Sequence, residues 1–92
     1  MPVAVRLRIE GRVQGVGYRV WLTREASRAG LRGFVRNRFD GSVEALLIGE
    51  PGPVEAVVQA CHTGPQFASV LRVERNDAAD DGSTGFFPLP TA

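Results

Sequence analysis

The chain has 92 residues, 43% of them hydrophobic, and a formal net charge of +1. That length suits one domain with one core, spanning residues 1–92, and such a hydrophobic fraction excludes global disorder. The small charge gives no reason to expect a polyanionic partner, even though every basic residue is an arginine.

No apolar run approaches the roughly 20 residues of a membrane span. Met1 to Arg6 lacks the basic-then-apolar order of a signal peptide. Cys61 is the only cysteine, which excludes an intramolecular disulfide and argues against a cysteine metal site. These features predict a soluble, cytoplasmic protein.

Val3, Val5, Leu7 and Ile9 alternate with Ala4, Arg6, Arg8 and Glu10, the period of a strand with one buried face. Gly11-Arg12-Val13-Gln14-Gly15-Val16-Gly17 then interrupts the pattern. From Tyr18 the period becomes helical, with Tyr18, Trp21, Leu22, Ala26 and Ala29 on one stripe and Gly30 placed to stop the helix. A second strand is predicted from about Leu31 to Phe39, with Val35, Asn37 and Phe39 on one face. Asp40-Gly41 signals a hairpin turn. The third strand runs through Val43, Ala45, Leu47 and Ile48.

Glu50-Pro51-Gly52-Pro53 ends that strand and opens a second helix, whose apolar stripe is Val54, Val57, Val58 and Cys61. His62-Thr63-Gly64-Pro65 stops it. A fourth strand is predicted from about Ser69 to Arg75, with Leu71 and Val73 inward. Asn76 to Gly85 reads as an acidic loop. Phe86-Phe87-Pro88-Leu89 reads as a last strand that Pro88 confines to an edge.

The resulting order is the split βαβ arrangement, an α+β fold with one antiparallel-type sheet and two helices on one of its faces. A right-handed crossover makes the first two strands parallel and inserts the third between them. The glycine loop and the end of strand two, with Asn37, then share one end of the sheet.

Three glycines let the backbone turn sharply and present its N–H groups. The helix N-terminus adds unpaired N–H groups and the positive end of a dipole. Arg19 in its first turn adds a planar cationic fork, so the stretch reads as an anion pocket. A helical arginine is more often simply solvated, and Gly15 and Gly17 alone could be an ordinary tight turn. The third glycine of a dinucleotide fingerprint is missing, as is the Gly-Lys-Ser/Thr of a nucleotide P-loop. Gln14 is either a surface turn residue or a polar prop for the loop. Asn37 either satisfies its hydrogen-bonding positions structurally or holds a water at the rim. Cys61 reads as a small core residue, His62 as a surface residue at a helix end, and Asp77, Asp80 and Asp81 as solvated.

The sequence offers no metal cluster, nucleophile–base pair or paired carboxylates. Cationic and amide donors with one asparagine can stabilise charge and position a water. They do not protonate a poor leaving group. A carboxylate, with a conjugate-acid pKa of about 4, leaves unaided, so an acyl phosphate suits such a site and an ordinary phosphate ester does not.

Gly11 to Arg19 resembles the acylphosphatase signature, a Gly-x-Val-Gln-Gly-Val loop leading to an aromatic residue and an arginine. Gly33-Phe34-Val35-Arg36-Asn37 and Asp40-Gly41-Ser42-Val43-Glu44 resemble its second signature. The resemblance covers nearly the whole chain and includes Gly64-Pro65. It implies a ferredoxin-like βαββαβ sandwich that hydrolyses the carboxyl–phosphate bond of small acyl phosphates without metal or cofactor. Carried over, the amides of Gln14, Gly15, Val16, Gly17 and Tyr18, with Arg19, bind the phosphoryl group, and Asn37 orients the attacking water. A monomer with no nucleic-acid or membrane partner is expected. The proline-rich Phe86 to Pro90 departs from the family, whose members usually end in a regular strand.

Two alternatives share this element order. One is an RNA-binding module, echoed by Arg32-Gly33-Phe34 and Phe39 but with Val35, Arg36 and Asn37 where stacking rings belong. The other is an anion sensor or carbamoyl-phosphate-binding unit of the kind found in larger maturation proteins. The chain carries no other module, which reads against it.

Overall fold

The computed structural model describes residues 1–92. Alternating apolar residues build β1 (Val3–Arg12), β2 (Arg32–Asn37) and β3 (Val43–Gly49). Helical stripes build α1 (Tyr18–Arg28) and α2 (Pro51–Cys61), and β4 (Ser69–Asp77) and β5 (Phe86–Leu89) complete the chain. The strands form one sheet in the order β4-β1-β3-β2-β5, so β3 does lie between β1 and β2. Antiparallel pairing sets Leu7 and Val35 on either side of Ala45.

That register puts Val5, Leu7, Ile9, Val35, Val43, Ala45 and Leu47 on one face, buried in a common core. Against them pack Tyr18, Leu22 and Ala26 of α1 and Val54, Val57, Val58 and Cys61 of α2. Each large apolar side chain removed from water here stabilises the fold by about 1.5–3 kcal/mol. The other face carries Arg6, Arg8, Arg36 and Glu44. The Arg36 guanidinium lies 5.3 Å from the Phe34 ring centroid.

Three expectations are corrected. Leu71 is exposed rather than inward. A register shift opposite Glu10 and Gly11 pairs Gly11 with Val70 and Glu10 with Arg72, which leaves Leu71 as the extra residue of a bulge. Val70 and Val73 pack on the core instead. Phe39 is 85% exposed, because β2 ends at Asn37 and Phe39 belongs to the turn beyond it. Asn76 and Asp77 belong to β4 rather than to the loop after it. The last strand is an edge strand, as Pro88 requires, but it runs parallel to β2, with Val35 opposite Pro88. The sheet is therefore mixed.

Two polar devices hold this framework. The Tyr18 hydroxyl donates to the buried Cys61 carbonyl over 2.7 Å, tying the first turn of α1 to the last of α2. Burial raises the Tyr18 phenol and pushes the Cys61 thiol up to about 12, so both are neutral. At the opposite end of the sheet, Arg32 pairs with both oxygens of Asp80 and donates to the Ser83 carbonyl. This clasp holds the loop between β4 and β5. The hydrogen bond from Arg32 holds the Asp80 carboxyl down to about 2.

Tyr18→Phe leaves the buried Cys61 carbonyl without this donor. It should lower unfolding stability by about 1–3 kcal/mol, measured by urea denaturation. An unchanged midpoint would show the tie to be idle. The Asp80 carboxyl titrates near 3.9 when unfolded, above its folded value, so the clasp contributes fully above about pH 4 and is lost as pH falls toward 2. Asp80→Asn should lower the denaturation midpoint at pH 7 and flatten its fall across that acid window.

Candidate active site

The segment from Val13 to Gly17 joins β1 to α1. Val13 is buried and Val16 packs on the core, so apolar side chains anchor the loop from inside while its backbone stays at the surface. Gly15 and Gly17 have φ of 74° and 81°. A Cβ at either would meet no atom within 4 Å, so it is the left-handed backbone, not crowding, that calls for glycine. Successive turns of this kind aim neighbouring N–H groups at one spot.

Gly17 is the N-cap of α1 and supplies no side-chain cap, and the first turn holds no acidic residue. The N–H groups of Gln14, Gly15, Val16 and Gly17 donate to nothing within the chain. The loop and helix start thus present a row of unsatisfied donors at the positive end of a helix dipole.

Gln14, Gly15, Gly17, Tyr18, Arg19 and Asn37 line one cavity of about 140 Å³. At about 30 Å³ per water, that is room for a phosphoryl group and a water, with the remainder of a substrate outside. Val16 is the one predicted site residue not in its lining. Val20 is apolar, largely exposed, and sits at the same cavity.

Arg19 is half-buried and donates to the Leu89 carbonyl over 3.3 Å. Eight of the eleven arginines lie in ion pairs with carboxylates, and only Arg12, Arg19 and Arg24 do not. Arg19 therefore brings an uncompensated charge to the cavity. The Asn37 side chain has no hydrogen-bond partner in the protein. Its backbone carbonyl accepts from Ala92 N–H at 3.0 Å. The Gln14 side chain points away from phosphate duty: its amide nitrogen donates to the carbonyls of Arg38 and Ser42 at 2.7 and 2.9 Å. Only the backbone of Gln14 is left to face an anion.

A larger cavity, about 250 Å³, lies on the open sheet face among Arg6, Arg8, Arg38, Glu44, Glu74 and Asn76. There every arginine is already matched, Arg6 and Arg38 with Glu44 and Arg8 with Asp40. Size favours that cavity, but free charge and free amides favour the smaller one. Neither His62, exposed at the C-cap of α2, nor the buried Cys61 lines this smaller cavity. The hold of Leu89 on Arg19, across 70 residues, had no signal in the sequence beyond the short apolar run of β5.

A loop of free amides, an unpaired arginine and an asparagine meet at one end of an α+β sandwich, which defines the protein's class. The comparisons with known proteins narrow this class. The Acylphosphatase family model matches residues 5–88, and the chain belongs to that family. An acylphosphatase of Azoarcus sp. (strain BH72) is 55% identical over 85 residues, covering 92% of this chain and 87% of the relative. One from Thermococcus kodakarensis is 49% identical, covering 91% and 92%. The crystal structure of acylphosphatase from Bacillus subtilis superposes with a TM-score of 0.91 at 33% identity, covering 97% of this chain and 99% of that one.

Gly17→Ala places a Cβ in left-handed backbone and should lower stability by about 1–2 kcal/mol. It should also weaken inorganic phosphate binding, because the loop amides lose their common aim. Denaturation and a phosphate titration read the two effects. Full phosphate affinity in a destabilised Gly17→Ala would separate the loop conformation from anion binding.

Proposed function

We propose that the protein hydrolyses acyl phosphates to a carboxylate and inorganic phosphate. The observation that carries this reading is the one cavity where an unpaired arginine, unsatisfied loop amides and a free asparagine amide meet. Membership of the acylphosphatase family supports the reaction class.

In the mechanism, the amides of Gln14 to Tyr18 and the Arg19 guanidinium donate to the phosphoryl oxygens and stabilise charge as it redistributes. The Leu89 carbonyl aligns the Arg19 fork. Asn37 holds a water by its side-chain amide, in line with the scissile bond and opposite the leaving oxygen. The water oxygen attacks phosphorus, the bond between phosphorus and the acyl oxygen breaks, and its electron pair leaves on the carboxylate. The water's proton passes to a phosphate oxygen. A carboxylate leaving group needs no general acid, and the reading requires no metal ion. It takes the protein as a cytoplasmic monomer acting on a small molecule. An RNA-binding role lacks support because the open sheet face presents arginines paired to Glu44 and Asp40.

Purified protein should turn over benzoyl phosphate or acetyl phosphate with a chelator present. Turnover that needs added metal would refute the metal-free scheme, and no turnover under either condition would refute the activity. Arg19→Gln should abolish phosphate binding and lower kcat/KM by a hundredfold or more, roughly the loss of a charge-stabilising donor. Asn37→Ala should retain inorganic phosphate binding while turnover falls by a similar factor. Steady-state kinetics with phosphate as inhibitor separate the two roles.

A further inference from the structure

Asn37 is the last residue of β2, so its placement depends on the turn that adjoins it. Arg38 to Ser42 form that turn and lead into β3. Within it, Arg38 N–H donates to the Ser42 carbonyl at 2.8 Å and Gly41 N–H to the Arg38 carbonyl at 3.1 Å. The Asp40 carboxylate accepts from Ser42 N–H at 2.9 Å and Ser42 Oγ at 2.6 Å. From the open face, Arg8 donates to Asp40 at 2.6 Å. These bonds shape the turn but do not tie it to the phosphate loop.

Gln14 supplies that tie. Its side-chain nitrogen donates to both the Arg38 and Ser42 carbonyls. Two carbonyl oxygens can face only the NH₂ end of the amide, since its oxygen would be repelled by both. Both amide protons are thereby used, and the side chain has no donor left for a substrate. One side chain thus spans the two halves of the cavity, from the loop that faces the anion to the turn adjoining Asn37.

We infer that Gln14 is a positioning residue. Its side-chain amide holds the β2–β3 turn against the phosphate loop and so sets where Asn37 presents its water relative to phosphorus. This rests on the reading of Asn37 as the group that orients the water. The phosphate-binding half of the site should be indifferent to the loss of this amide, because the loop's own N–H groups and Arg19 remain. The attack geometry should not be indifferent. A misplacement of about 1 Å between reacting groups lowers rates by about a hundredfold.

The test is Gln14→Met, which keeps length and loses both donors. The Arg38 and Ser42 carbonyls each retain a turn partner, from Gly41 N–H and Arg38 N–H, so the fold should survive, and circular dichroism checks it. With benzoyl phosphate, kcat should fall about 10- to 100-fold while the inhibition constant of inorganic phosphate changes less than about twofold. Placed on Asn37→Ala, Gln14→Met should cause little further loss, since the two residues act through one water. A parallel loss of phosphate affinity would overturn the inference in favour of a contact role. So would fully additive losses in the double variant, or an unchanged kcat. Should Gln14→Met not fold, Gln14→Glu makes the same comparison with the native shape. Its turnover should recover as pH falls and the carboxyl regains a proton to donate, and a flat profile would count against the tie. Absence of turnover in the unaltered protein would overturn the functional reading itself, and the inference with it. Turnover with an unaffected Gln14→Met overturns the inference alone.

Discussion

A helix that begins on glycine leaves its first amides without partners, and the site of this protein is organised around that deficit. Four successive loop N–H groups, from Gln14 to Gly17, are unsatisfied within the chain. An exposed polar loop could leave them to water at little cost. Here they are gathered at a helix N-terminus by two left-handed glycines and fixed from beneath by Val13 and Val16. The remainder of the fold supplies what such a donor cluster lacks: a rigid seat, the formal positive charge of Arg19 and the unpartnered side chain of Asn37.

The distribution of charge obeys the same logic. A chain with eleven basic residues and ten carboxylates could scatter positive potential over its whole surface. Instead most arginines are matched locally, and Glu44 alone contacts Arg6, Arg36 and Arg38. Among its own neighbours Arg19 meets only a neutral carbonyl, that of Leu89. A neutral oxygen orients a guanidinium without cancelling its charge. The smaller cavity therefore holds a free positive charge, which the larger one on the open face does not.

Local periodicity made most of this architecture legible. The alternation of β1 and β3, the stripes of Tyr18-Leu22-Ala26 and Val54-Val57-Val58-Cys61, and the glycine loop all carry their burial pattern in adjacent residues. Topology alone placed the loop and Asn37 at one end of the sheet. What could not be read depends on partners distant in sequence. Leu71 turns outward because it is the unpaired residue of a bulge, between Val70 and Arg72, which pair with Gly11 and Glu10. Phe39 is exposed because its strand stops two residues earlier than alternation suggests. The parallel docking of β5, the hold of Leu89 on Arg19 and the span of Gln14 to the Arg38–Ser42 turn are all long-range contacts between residues whose local patterns are ordinary.

The central claim is that an anion is held by the loop amides together with Arg19. A titration of the ¹⁵N-labelled protein with inorganic phosphate, monitored through its amide resonances, tests it most directly. Saturable shifts should be largest at Gly15, Val16, Gly17, Tyr18 and Arg19. They should be small around Arg6, Arg8 and Glu44 on the open sheet face. Largest shifts at that open face, or no saturable shift in the loop, would contradict the account.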